Sequence, residues 1–251
     1  MAVNLTMAQL GAARLPACEI RVSSTIPMAA GFGSSAAISI AIIRALAAFT
    51  GRTLTNADVS SIAFQVEQRQ HGNPSGIDNT VIAYGQPIYY VRGQPFETLS
   101  PARSFTLVIG DSGVQSSTAD VVGDIKQLNL QSPGFTTPAF EAIGDISRKA
   151  RDLIQTGQVD GLGDLMNQNQ ALLRSLTISS PELDRLVDAA RAAGAIGAKL
   201  SGGGRGGNMI ALVTPQTAAS VERAMQAAGA VRTWITTVRA AEGSSGETND
   251  G

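Results

Sequence analysis

A chain of 251 residues is long enough for one large domain or two small ones, each with its own apolar core. Hydrophobic residues at 43%, charged residues at 16% and 27 glycines describe a compact, loop-rich fold and exclude a disordered chain. With 19 basic and 20 acidic residues spread along the sequence, no positive block is left for nucleic acid or an anionic membrane, so the expected ligand is a small molecule.

Cys18 is the single cysteine, which excludes an intrachain disulfide and a cysteine-rich zinc site and fits a reducing cytoplasm. The longest apolar stretch, residues 36–49, is interrupted by Ser39 and Arg44 and falls short of the roughly 20 residues of a membrane span. The first 18 residues have neither a basic start nor a long apolar core, so no secretion signal is expected.

In chain order, residues 19–26 (EIRVSSTI) alternate polar and apolar at period two and stop at Pro27, the pattern of a half-buried strand entering a loop. Ser34 and Ser35 then open an Ala/Ile-rich helix that runs to about Phe49 and ends at Gly51. A second helix is expected from an N-cap at Thr55 or Asn56, with Val59, Ile62, Phe64 and Val66 mostly inward and Glu67 in its last turns. A short apolar piece at residues 81–84, a hairpin strand at 87–91 and a turn-rich connection follow, and a domain boundary is expected near residue 102.

Beyond the boundary, the pattern predicts a strand at 104–109, helices at 119–128, 137–155, 162–176 and 182–193, and a strand–loop–strand at 197–213. A helix at 215–228 and a last strand at 233–238 complete it, an α+β arrangement. Residues after Ala241 have no apolar side chain and are expected to be disordered.

Three constellations carry chemistry. In PMAAGFGSSAA, residues 27–37, glycines let backbone N–H groups approach phosphate oxygens, and the following helix presents its positive end. The same run, from Gly31 to Ala36, also satisfies a dinucleotide fingerprint with Asp58 as the ribose-binding acid, and it lacks the lysine of a Walker loop. In EQRQHGNPSGIDN, residues 67–79, one carboxylate near a helix end precedes another, expected in a Gly/Pro-punctuated loop. Phosphoryl transfer to an alcohol needs one acid on Mg2+ and another on the attacking hydroxyl, and Glu67 and Asp78 can divide those roles. Either acid alone reads as a solvated surface charge, and His71, the only histidine, as a partner in a local turn hydrogen bond. GAKLSGGGRGGN, residues 197–208, sets five glycines between two apolar strands, which is either a second phosphate-facing loop or a flexible hairpin, with Arg205 on phosphate or on solvent.

These three blocks, in this order, resemble the GHMP kinases, and EQRQHGNPSGIDN resembles the mevalonate kinase form of that family's central motif. MNQNQALLRSLTISSPELDRLV, residues 166–187, is similar to the helical stretch before the family's last glycine motif, so the likeness covers residues 19–240. The resemblance implies a two-domain α+β GHMP fold. Residues 1–102 would be an ATP-binding domain like ribosomal protein S5 domain 2, residues 103–240 a ferredoxin-like domain and residues 241–251 a tail. It implies that Ala30, Gly31, Phe32, Gly33, Ser34, Ser35 and Ala36 wrap the triphosphate of ATP, that Ser35 and Glu67 hold Mg2+ and that Asp78 is the catalytic base. Ser117 and Thr118 match a pair near the mevalonate end of the site, with Gly202, Gly203 and Gly204 lining it; Thr118 reads otherwise as a helix N-cap. The product would be 5-phosphomevalonate on the route to isoprenoids, made in the cytoplasm without nucleic-acid or membrane partners, and dimerisation is an expectation carried by the family alone.

Two departures accompany the resemblance: Arg205 stands where many members carry glycine, and the family's N-terminal motif, with a phosphate-site lysine, has no counterpart before Glu19. On that reading the chain begins after the motif and turns over slowly or not at all. The alternatives are another GHMP enzyme acting on homoserine, galactose or phosphomevalonate or the related decarboxylase, an inactive nucleotide-binding relic, and a Rossmann dehydrogenase.

Overall fold

The computed structural model describes residues 1–12, 14–26, 31–71 and 74–241, without the His71 side chain. The expectations made for Ala30, for a hydrogen bond of His71 and for the tail beyond Ala241 lie outside the described residues. The chain divides into two compact units, Met1–Thr98 and Leu99–Gly251.

Helices dominate the first unit: α1 (Ala2–Gln9), α2 (Ser34–Phe49), α3 (Asn56–His71) and α4 (Ile77–Tyr84), with a two-residue antiparallel ribbon of β1 (Ile88–Tyr89) and β2 (Glu97–Thr98). Ile40 and Ile43 of α2 share one face and pack on Val59, Ile62 and Ala63 of α3 and Ala83 of α4. A reciprocal cap starts α3. The Asp58 N–H donates to Thr55 Oγ1 at 3.1 Å, while Asp58 Oδ2 accepts from Thr55 N at 3.0 Å and from Thr55 Oγ1 at 2.6 Å. The Thr55 side-chain bond, then its backbone bond, hold the Asp58 carboxyl below its ordinary value, so the role of this carboxyl within the chain is at the start of α3.

Two local expectations are corrected here. Residues 19–26 form no strand, and Ile20, Val22 and Ile26 stand 45%, 53% and 36% exposed. Alternation specifies two faces, but a strand also needs a ladder partner, and among the described residues of this unit the only ladder is the β1–β2 ribbon. Residues 81–84 are the last turn of α4, so Asp78 sits in a helix's first turn and not in an open loop. Gly76, at φ 85°, caps that helix, Thr80 Oγ1 donates to Gly76 O at 2.7 Å, and Asn79 Nδ2 donates to Ser60 Oγ at 2.9 Å, tying α4 to α3.

The second unit runs β3 (Phe105–Asp111), α5 (Thr118–Gln131), α6 (Pro133–Thr156), a 3-10 turn (Val159–Gly161), α7 (Leu162–Ser175), α8 (Pro181–Ala192), β4 (Gly197–Ser201), β5 (Asn208–Val213), α9 (Ala218–Ala227) and β6 (Arg232–Val238). The strands make one antiparallel sheet in the order β4-β5-β3-β6. With α9 between β5 and β6 and the longer helical excursion between β3 and β4, this is the split βαβ arrangement of a ferredoxin-like domain. Leu183, Leu186 and Val187 of α8 and Val221 and Met225 of α9 pack on Val108, Leu200, Met209 and Ala211 of one sheet face. Truncating one of these fully buried leucines to alanine costs about 2–5 kcal/mol.

The opposite face carries α6 and α7, which meet Phe105, Leu107 and Leu212 through Ala150, Leu153, Ile154, Leu162 and Met166. The edge strand β4 is covered by α7: Asn167 Oδ1 accepts from Ala198 N at 3.1 Å and Gln170 Oε1 accepts from Leu200 N at 2.8 Å. Gly163 and Gly197 let α7 and β4 approach backbone to backbone, since a Cβ on Gly197 would run into the Gly163 backbone and one on Gly163 into Ile196. Among the described residues, no helix is long and apolar enough to cross a membrane.

Candidate active site

The glycine run enters α2 through two left-handed residues, Gly31 at φ 74° and Gly33 at φ 64°. An added Cβ at Gly33 would sit 3.3 Å from Asp78 Cγ and 3.2 Å from Ile82 Cδ1, so the loop lies directly on the first turn of α4. The N–H groups of the first turn of α2 have no partner within their own helix, which makes this end attractive to an anion. Phe32, Gly33, Ser34 and Ser35 are partly buried there and Ala36 is buried.

One residue into α2, Ser35 Oγ lies 2.6 Å from Glu67 Oε1 and 2.9 Å from Gln70 Oε1, both on α3. A hydroxyl has one proton. The 2.6 Å bond to the carboxylate takes it as the stronger, charge-assisted acceptor, and rotating the Gln70 amide by half a turn lets its nitrogen donate to the same oxygen. Gln70 was not foreseen from the sequence, although its place one turn after Glu67 on the same helix face is the signal that finds it.

Glu67 is buried, at 8% exposed. The Asp78 carboxyl is raised above its ordinary value, first by desolvation and second by the negative charge of Glu67. Asp78 keeps an exposed edge, which moderates both effects. Gly33, Ser35, Glu67 and Asp78 are thus one local cluster where α2, α3 and α4 meet. Among the described residues, no group of three or more His, Cys, Asp or Glu side chains gathers as a metal cluster, so the donors here are two carboxylates and a hydroxyl.

The second unit holds the other foreseen residues. Ser117 caps α5, accepting from Asp120 N at 3.3 Å, so the cap expected of Thr118 belongs to its neighbour. Thr118 opens α5 against the glycine loop, where an added Cβ at Gly203 would lie 2.6 Å from its Oγ1. The loop is not a free hairpin: Arg205 N donates to Ile178 O at 2.7 Å, Gly207 N to Val114 O at 2.8 Å and Ser112 N to Gly207 O at 2.9 Å. Left-handed φ angles of 92° at Gly202 and 84° at Gly204 account for glycine at those positions. Arg205 is itself left-handed at φ 54°, and its guanidinium pairs with Asp124 of α5 and donates from Nε to Thr177 O at 3.0 Å. It braces the loop.

Known proteins place these clusters in a family. A family model described as GHMP kinases N terminal domain matches residues 1–86, and one described as GHMP kinases C terminal matches residues 150–231. The mevalonate kinase of Thermococcus sibiricus is 37% identical over 233 residues, covering 91% of this chain and 68% of that protein. The chain belongs to the GHMP kinase family.

Within that family, the mevalonate kinase of Pyrococcus horikoshii is 38% identical over 218 residues, covering 85% of this GHMP kinase but 64% of its own length. The chain thus spans a little under two thirds of several such relatives. Among solved structures, L. major mevalonate kinase in complex with R-mevalonate superposes with a TM-score of 0.83 at 31% identity, covering 95% of this chain and 76% of that one. The N-terminal family match begins at residue 1, upstream of the Glu19 at which the resemblance in the sequence starts. A Rossmann reading of the glycine run is overturned, because no parallel sheet precedes α2 among the described residues and the acid it needs, Asp58, caps α3.

Proposed function

We propose that this GHMP kinase transfers the γ-phosphoryl group of ATP to mevalonate, giving 5-phosphomevalonate and ADP in the cytoplasm. The observation that carries the reading is the cluster of Ser35, Glu67 and Asp78 beside a glycine-lined helix start, in a chain whose relatives are named mevalonate kinases. We assign nucleotide binding to residues 1–102, and to residues 103–240 a second glycine loop that contacts the acceptor or its phosphate.

In this reading the backbone N–H groups from Ala30 to Ala36 hold the triphosphate, with the Ser34 and Ser35 hydroxyls at its edge. A hydroxyl and a carboxylate are hard oxygen donors of the kind Mg2+ takes, in the small number it uses when phosphate oxygens and waters fill the other positions. The pair of Ser35 and Glu67 therefore fits that ion, which when bound neutralises the charge of the phosphate oxygens. Asp78 accepts the proton of the attacking hydroxyl as the oxygen–phosphorus bond forms and ADP leaves with the electrons of the broken bond. Burial and the neighbouring Glu67 suit Asp78 to this task, since a carboxyl raised above its ordinary value is a stronger base toward the hydroxyl proton. Ser117 and Thr118, with Gly202, Gly203 and Gly204, complete the acceptor contacts.

An acceptor panel tests the proposal. With ATP and Mg2+ present, coupled ADP release is expected to be fastest with mevalonate among mevalonate, homoserine, galactose and phosphomevalonate. A faster rate on any other acceptor moves the assignment to a different GHMP kinase.

A further inference from the structure

The sheet face that carries α6 and α7 contains one residue out of keeping with it. In β4, Ala198 and Leu200 point into the α8–α9 core, so alternation sends Lys199 to the α6–α7 face, beside the apolar Leu107, Ile210 and Leu212. There it lines a cavity of about 260 Å³ with Leu107 and Ile210 of the sheet, Ile146 and Ile154 of α6, and Leu165 and Met166 of α7. Lys199 is the only charged residue of the lining; α6 contributes Ser147 and α7 contributes Asn169 as polar groups, and neither β3 nor β5 contributes a titratable one.

The ammonium has three N–H bonds. One is directed at the Leu200 carbonyl oxygen at 2.7 Å, and no carboxylate pairs with the other two among the described residues. Burial lowers the amine to about 8, so at neutral pH it is still mostly charged, in surroundings that penalise the charge. A lysine turned inward on an edge strand can act as a guard against strand addition. Here that edge is already covered by α7 through Asn167 and Gln170, so the guard is redundant.

We propose that this cavity is a binding site for a small amphipathic anion, its carboxylate or phosphate head on the Lys199 ammonium and its apolar tail along Leu107, Ile210 and Met166. The volume lies just under the roughly 300–1,000 Å³ of drug-sized ligand clefts, which limits the tail to a short or medium chain. The site lies wholly within the second unit and is independent of the reaction proposed above.

Titration of the full chain with octanoate, octyl phosphate and octan-1-ol, followed by calorimetry and by methionine-methyl NMR, tests it. Saturable binding of an anionic probe at one site with a shift of the Met166 methyl is expected, and the relative affinities of octanoate and octyl phosphate identify the preferred head. Lys199→Met is expected to weaken the anion by about ten- to a hundredfold while leaving the alcohol unchanged. In the unsubstituted protein, where folding of the variant is not at issue, anion affinity is expected to fall as pH rises from 7 to 9.5 through the amine's titration. Equal affinity in Lys199→Met, an affinity flat across that pH range, or binding that leaves Met166 unmoved overturns the proposal.

Discussion

Ser35 Oγ donates to Glu67 Oε1 at 2.6 Å, joining the first turn of α2 to the last turns of α3 across 32 positions of sequence. The bond fixes the carboxylate from which Asp78 feels its negative charge. Glu67→Gln keeps the shape and an acceptor for Ser35 but removes the charge. The Asp78 titration is expected to move down, yet to stay above the ordinary carboxyl value because burial remains. Carboxyl-carbon NMR across acid pH reads this directly, and an unmoved Asp78 midpoint contradicts the coupling. The same variant is expected to require at least about tenfold more Mg2+ for turnover.

A second consequence concerns stability. Because the folded chain raises the Asp78 carboxyl above 3.8, it binds that proton more tightly than the unfolded chain does. Ionised Asp78 therefore costs stability, and the cost grows as pH rises from the unfolded value through the folded one. Asp78→Asn, neutral throughout, is expected to melt higher than the parent at pH 7, with the gap closing below pH 3.8. Thermal melts at several pH values check this, and a lower melting temperature for the variant at pH 7 contradicts it.

The second glycine loop separates two costs of adding a side chain. Gly202 and Gly204 are both left-handed, at φ 92° and 84°, but a Cβ at Gly202 meets open space whereas one at Gly204 collides with the Ile178 carbonyl. Gly202→Ala is expected to lose about 1–2 kcal/mol, the left-handed penalty alone. Gly204→Ala is expected to lose more, because backbone must also move. Denaturant midpoints rank them, and equal losses contradict the close approach.

Arg205 allows the complementary experiment. Arg205→Gly removes the brace on Asp124 and Thr177 but relieves the left-handed residue, and an exposed ion pair is worth only about 0–1 kcal/mol. The net change is expected to stay within about 1 kcal/mol, while Arg205→Ala, which loses the brace and keeps the strain, is expected to be less stable by a further ~1 kcal/mol. Unfolding curves for the pair decide it.

What the sequence disclosed follows from what is local. The helix starts near Ser34 and Thr55 and the succession of strands and helices in the second unit were legible because glycines, caps and periodicity act within a few residues, whereas the ferredoxin-like topology came from the resemblance. The packing of Gly33 on Asp78 was not, since it depends on α2 and α4 meeting in space. The expected strand at 19–26 misled because alternation is written in the chain while a ladder partner is not. Asp78 was noticed as an acid, but its neighbours Asn79 and Thr80, bonded to Ser60 and Gly76, decide that it sits on a helix. The pairing of Glu67 with Asp78 was read from their motif and the place of Ser35 beside them from the resemblance, and the Ser35–Glu67 distance comes only from the fold.

Mevalonate-dependent ADP release with ATP and Mg2+, measured for the parent beside Asp78→Asn with folding of both confirmed by their melts, tests the central claim most directly. Loss of the general base is expected to lower turnover by about 10²- to 10⁴-fold with little change in nucleotide affinity. Equal turnover in the two proteins, or no mevalonate-dependent release by the parent, contradicts the account.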